Sequence, residues 1–125
     1  MKTFAPLIHS YWYLFRGAGM TLLMAGASVV PATLAGVLLA LAQVFGRRAP
    51  RSAVQAYLFL MRGIPLLVWL TFTYYLLPLT GIDLPPFWGV VVVMTLYYAA
   101  FMSEVFRAGI ISLPQAQWDA ARVLV

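Results

Sequence analysis

The sequence predicts an all-α integral membrane protein: three transmembrane helices, then the start of a short polar helix on the cytoplasmic side. Three observations carry that prediction. First, 64% of the 125 residues are hydrophobic and only 9% are charged, against roughly 25% charged in soluble domains. A small soluble domain keeps too much of its surface in water to hide so much apolar area. Second, the stretches Gly17 to Gly46, Gly63 to Ile82 and Leu84 to Ser103 carry no charge. Each is long enough for the roughly 20 apolar residues that cross a bilayer. Third, the segments between them hold the arginines, prolines and glycines that punctuate helices. In lipid the backbone must satisfy its own hydrogen bonds, so the spans are read as helices.

Residues 1–16 form an N-terminal segment. The first span is predicted over Met20 to Val44. It carries a ladder of small residues, Ser28, Ala32, Gly36 and Ala40, whose spacing of four lines up along one helix face. Such a face lets a second helix approach closely, either within a bundle or across a dimer seam. Pro31 beside the ladder frees the carbonyl of Ala27 and predicts a local bend. Gly46-Arg47-Arg48-Ala49-Pro50-Arg51 is read as a short basic turn. By the positive-inside rule it lies in the cytoplasm, which places residues 1–16 in the periplasm. Lys2 and Arg16 oppose this orientation, but as two scattered charges against a cluster of arginines.

The second span is predicted over Val54 to Leu77. The stretch from Pro78 to Pro86, with Gly81, Asp83 and Pro85, is read as an outer loop. The third span, Phe87 to Val105, returns the chain to the cytoplasm. Its run Val90 to Val93 favours strand in water, a preference that lipid overrides. Ser112-Leu113-Pro114-Gln115 then has the pattern of a capping box with proline in the first turn, so a helix should begin at about Leu113. In that helix Asp119 can pair with Arg122.

Composition also excludes. There is no cysteine and one histidine, His9, so neither a disulfide nor a metal site is expected. No glycine-rich phosphate loop and no nucleophile–base pair is present, so no catalytic residue and no cofactor is expected. The net charge of +5 lies between apolar spans, where it sets orientation; no basic run interleaved with aromatics points to nucleic acid.

Three stretches can carry mechanism. In Met61-Arg62-Gly63-Ile64-Pro65, an arginine sits inside the second span beside a residue that cannot donate a hydrogen bond and a glycine that permits a hinge or close approach. Arg62, Gly63 and Pro65 fit a deformable point on a transport path, and Arg62 equally fits a side chain snorkelling to the interface. Glu104 and Arg107 share one helix face. They fit either an ion pair that ends the span or a polar position on a solute path. On the terminal helix, Gln117, Trp118, Asp119, Ala120 and Ala121 offer a small smooth surface beside a large aromatic. That pattern fits a protein-docking surface with Trp118 as anchor, or a helix at the lipid headgroups.

Together these stretches resemble the permease subunit of binding-protein-dependent ABC importers of the polar amino-acid type. That family carries an R-G-T-P-L-L-V-Q-like segment, matched here by Arg62-Gly63-Ile64-Pro65-Leu66-Leu67-Val68-Trp69. It also carries an A-E-x-x-R-G-G-I-x-S-I-P-x-G-Q-x-E-A-A-like segment, matched by Ser103 to Ala121. The likeness extends more weakly from Gly17 to Gln43. Asp119 stands for the motif glutamate, Ile64 for threonine, and Ala108, Ala116 and Val125 for glycines. The resemblance implies that the terminal helix is a coupling helix docking on a cytoplasmic ABC ATPase subunit. It further implies a periplasmic or lipid-anchored solute-binding protein, a second permease subunit as homo- or heterodimer, and a multi-pass place in the bacterial inner membrane. Residues 17–125 would then be the N-terminal portion of the permease domain, ending at the coupling helix and incomplete relative to the family's bundle. Two other classes fit the residues: a small proton-coupled exporter acting as a dimer, with Glu104 as its carboxylate, and a non-transporting membrane scaffold or remnant.

Overall fold

The computed structural model describes residues 5–123; Lys2 and Val125 lie outside the described residues. Every regular element among them is helical. The order is α1 (Ala5–Phe45), α2 (Arg48–Gly63), α3 (Leu66–Thr71), a π turn (Phe72–Leu76), a 3-10 turn (Leu77–Thr80), α4 (Pro86–Ile111) and α5 (Gln115–Val123). Two helices, α1 and α4, are long and apolar enough to cross a membrane, and the bent pair α2/α3 makes a third if it is one span.

α1 begins 15 residues before the expected start of the first span. Nothing between Ala5 and Met20 breaks a helix, since Pro6 falls in the first turn, where its missing N–H costs nothing. The 41 residues of α1 extend about 62 Å, twice the hydrocarbon thickness of a bilayer. Arg16 and Phe45 lie about 44 Å apart along the axis, close to the full thickness with headgroups. Tyr11, Trp12, Tyr13 and Phe15 are exposed around that first arginine. The helix runs uninterrupted through Pro31.

The small-residue ladder is the fold's main seam, and it lies within this chain. Ser28, Ala32, Gly36 and Ala40 are all buried, and α1 packs chiefly on α4. Gly36 meets Ala99, Met102 and Ser103 of α4, and Ser28 meets Met94; Ala99, Ala100 and Ser103 are each at most 1% exposed. The approach is close enough that a Cβ added at Gly36 would stand 2.7 Å from the Met102 Cβ and 3.2 Å from the Ser103 backbone nitrogen. Away from the seam, Leu22, Leu34 and Leu38 of α1 are exposed.

The basic turn is shorter than expected. Only Gly46 and Arg47 are non-helical, and α2 begins at Arg48. Pro50 is accommodated in the first turn of α2, where no intrahelical donor is required. The largest departure is in the second span, which is not one straight helix. It breaks after Gly63 and turns by 95° into α3. Ile64 is extended at φ −111°, ψ 130°, and Pro65 follows at ψ 142°. The proline ring pushes its predecessor out of the helical region, and its nitrogen cannot close the i→i−4 bond. The outer loop is also partly ordered: Leu77–Thr80 form a 3-10 turn closed by Gly81 at φ 87°. Pro86 opens α4 rather than belonging to the loop. The Val90 to Val93 run is helical.

The capping box did not form. Ser112 caps the end of α4 instead: its N–H donates to the Ala108 carbonyl at 3.0 Å and its Oγ to the Gly109 carbonyl at 2.8 Å. Bonding back to the preceding turn is the common alternative for serine. The terminal helix therefore starts at Gln115, after a joint of Ser112, Leu113 and Pro114.

Candidate functional site

α1, α2 and α4 meet at the end of the bundle that carries the basic turn, and they enclose a cleft of about 830 Å³. Its polar wall is Arg51, Gln55 and Arg62 from α2, Gln43 from α1, and Glu104 and Arg107 from α4; Leu58, Phe59, Phe101 and Ile111 form the apolar wall.

Glu104 is the centre of the polar wall. One carboxylate oxygen accepts from Arg107 Nη2 at 2.9 Å and from its Nε at 3.2 Å, the bond expected between neighbours three apart. The other oxygen faces Arg62 Nη1 at 3.6 Å across the α2/α4 interface. Arg62 also lies over the Phe101 ring, 5.8 Å from its centroid, within cation–π range. One carboxylate thus holds two guanidiniums, and one of the two comes from the helix that ends at the Ile64–Pro65 break. Arg62 and Glu104 are 42 residues apart in the chain, so this pairing is a product of the fold.

The remaining residues of the second-span motif divide. Gly63 lines the cleft. A Cβ there would meet nothing within 4 Å, so this glycine is not required by close packing. Pro65 lies outside the cleft and sets the bend. Gln43 was not singled out from the sequence. It is buried, and its Nε2 donates to Ser103 Oγ at 3.5 Å, while Ser103 Oγ donates to the Ala100 carbonyl at 2.8 Å. The available signal was a lone amide near the end of an otherwise apolar span.

The terminal residues form a separate surface. On α5, Gln115 Nε2 donates to Asp119 Oδ1 at 3.3 Å, and Arg122 faces the same oxygen at 3.7 Å. Gln117, Asp119, Ala120 and Ala121 are exposed. Trp118 is half-buried, and its ring meets that of Phe45, the last residue of α1, edge to face at 6.2 Å. Among the described residues no group of His, Cys, Asp and Glu could hold a metal ion.

Residues 32–124 match the profile of the binding-protein-dependent transport system inner membrane component. The chain belongs to this family. That stretch contains the cleft and all of α5. A probable amino-acid ABC transporter permease protein, YckA of Bacillus subtilis (strain 168), is 32% identical over 117 residues, covering 94% of this chain and 52% of that protein. The L-cystine transport system permease protein TcyB of the same organism is 33% identical over 112 residues, covering 89% and 48%. One chain of a solved amino acid ABC transporter, crystallised with histidines, superposes with a TM-score of 0.86 at 28% identity, over 99% of this chain and 58% of that one. The chain spans about half the length of the curated relatives it matches. Its resemblance to amino-acid ABC permeases, first carried by two short motifs, therefore holds along nearly the whole sequence.

Proposed function

We propose that this chain is a membrane-spanning permease subunit of an ATP-driven, binding-protein-dependent importer of polar amino acids in a bacterial inner membrane. The family match over residues 32–124 carries the reading. The cleft supports it with a polar, charged wall inside an apolar bundle, where ionisable side chains mark solute paths. In this reading Arg62, Glu104 and Arg107 border the path, and the Gly63–Pro65 break lets α2 and α3 tilt against each other. Gln117, Asp119, Ala120 and Ala121 form the face that docks on a separate ABC ATPase subunit, which hydrolyses the ATP. A solute-binding protein delivers substrate, and a second permease subunit completes the path. Coupling here means a free energy passed between the ATPase site and the solute path.

The docking face is tested by bulk and charge. Ala120→Glu and Ala121→Arg are expected to leave the permease in the membrane and to remove the ATPase subunit from affinity-purified complexes. Unchanged co-purification together with unchanged uptake would exclude this face.

The break is tested at its proline. Pro65→Ala is expected to change stability by no more than about 1 kcal/mol, the scale of proline effects on the unfolded chain. The same substitution removes the restriction on Ile64, so uptake should fall while the assembled complex persists. Full uptake by Pro65→Ala would show that the bend needs no proline and that Pro65 is not a mechanistic position.

A further inference from the structure

The two sides of the break at Ile64–Pro65 meet α4 in different ways. We propose that α2 is an interfacial helix, laid along the lipid surface at the end of the bundle that carries the basic turn, and that the crossing is made by Leu66–Thr80. The partner this helix fits is the headgroup layer of the bilayer. The inference needs α4 to cross the membrane; it needs neither an ATPase nor a solute.

The order of contacts along α4 carries it. Arg62 reaches Glu104, and Tyr57, five residues earlier, donates its hydroxyl to the Leu96 carbonyl. A helix rising from the basic turn antiparallel to α4 must meet it in the reverse order, its later residue nearer Pro86. A helix running parallel to α4 would leave the bundle, because α2 starts just past Gln43, which already lies level with Ser103. Yet Arg51 in the first turn of α2 and Arg62 in the last line one cleft with Glu104 and Arg107, although about 16 Å of helix separates them. α2 therefore stays at one level and lies across α4. Beyond the break the order becomes that of a crossing antiparallel helix. Thr73 and Tyr74 lie against Gly89, and the Tyr74 hydroxyl donates to the Pro86 carbonyl. The 95° between the two parts is the angle between a surface helix and a crossing one.

The residues of α2 sort accordingly. Arg48, Arg51, Ser52, Gln55 and Arg62 share one face by helical spacing, with Phe59 among them, and all are exposed. Ala49, Ala53, Ala56 and Leu60 form a second exposed stripe with no polar member. Val54, Tyr57 and Met61 are half-buried and Leu58 is buried. An arginine-bearing face beside an apolar stripe is the pattern of a helix in the headgroup plane. The segment beyond the break differs, since Gly63 to Ile82 carries no charge. Its length also suffices. Two extended residues, eleven in α3 and the π turn and four in the 3-10 turn reach about 30 Å, the hydrocarbon thickness. The break itself suits the interface. Pro65 has no N–H for the Met61 carbonyl, and a freed carbonyl finds water among headgroups but none in hydrocarbon.

The chain has no cysteine, so single cysteines can be spin-labelled in the assembled complex in a bilayer. Ser52→Cys and Phe59→Cys read the polar face, and Ala53→Cys and Leu60→Cys read the apolar stripe; all four positions are exposed. Accessibility to oxygen, which concentrates in lipid, relative to a water-soluble nickel chelate reports depth. The two members of each pair are expected to report equal depth. The oxygen-to-nickel ratio should be severalfold higher for the apolar pair than for the polar pair. An upright α2 would separate the members of each pair by about 10 Å in depth, and that result would overturn the proposal. Closure of positions 53 and 60 to both reagents would overturn it too, by assigning the stripe to a protein neighbour instead of lipid.

Discussion

Glu104→Gln is expected to reduce solute uptake by on the order of tenfold or more while the complex still assembles. The two halves of that expectation have different causes. Stability should change little. Arg62 and Arg107 are 45% and 36% exposed at the side chain, and ion pairs of such partly solvated groups contribute about 1 kcal/mol or less. The amide keeps the size of the carboxylate and can still accept a hydrogen bond, so packing survives. Transport should suffer because the carboxylate is the only acidic group lining the cleft among the described residues, where Arg51, Arg62 and Arg107 are also present. Removing it leaves the guanidiniums to repel one another and frees α2 from α4 at the end nearest the break. The measurement is uptake in vesicles supplied with the solute-binding protein, with complex recovery on a sizing column alongside. Normal uptake would remove Glu104 from the path. Loss of the complex without any soluble, assembled fraction would instead make the Glu104 pairs a structural clasp. Arg107→Ala should have the milder effect, since Glu104 keeps Arg62.

Gly36→Leu is expected to be the most destabilising substitution in α1, whereas Gly26→Leu should be neutral or slightly stabilising. A Cβ at position 36 meets the Met102 Cβ at 2.7 Å, the Ser103 nitrogen at 3.2 Å and the Ala99 carbonyl oxygen at 3.3 Å. Two of those three are backbone, so relief requires the helices to separate. Overpacking a close seam costs about 1–3 kcal/mol and more where backbone must shift. In a membrane this seam has no hydrophobic drive to compensate, because lipid is as apolar as the side chains. At position 26 a Cβ meets nothing within 4 Å and the residue is exposed. There leucine gains up to about 0.8–1.0 kcal/mol of helix propensity over glycine. Denaturation midpoints in detergent for the two variants should differ in sign relative to the parent. Equal midpoints would mean that the α1/α4 seam is not the principal packing interface.

The same residues show how far the sequence reached. The ladder at 28, 32, 36 and 40 was visible from spacing alone, because a period near 3.6 puts every fourth residue on one face whatever lies opposite. Which surface covered it was not visible: a partner helix of the same chain and a second copy present the same small residues. The Glu104–Arg107 pair was likewise legible, being local. Arg62 was legible as an unusual charge in an apolar span, but its partner was not, since no spacing rule connects residues 42 apart. The Ser112 cap failed for a related reason. A serine between two helices can serve the end of one or the start of the next, and the path of the chain decides which.

The sequence by itself determined the class of the protein and the order of its helices, and it marked Gly63 and Pro65 as a deformable point without placing a break there. Charge-free stretches of spanning length, arginines between them and a proline that restrains its neighbour act locally and hold in any packing. Only the tertiary structure decided that the second span turns through 95° and that α4 covers the ladder. It also decided that one carboxylate holds arginines from two helices, and that Trp118 meets Phe45. Those outcomes depend on which faces of distant segments meet. Contact between distant segments is settled by packing in three dimensions and leaves no periodicity in the chain.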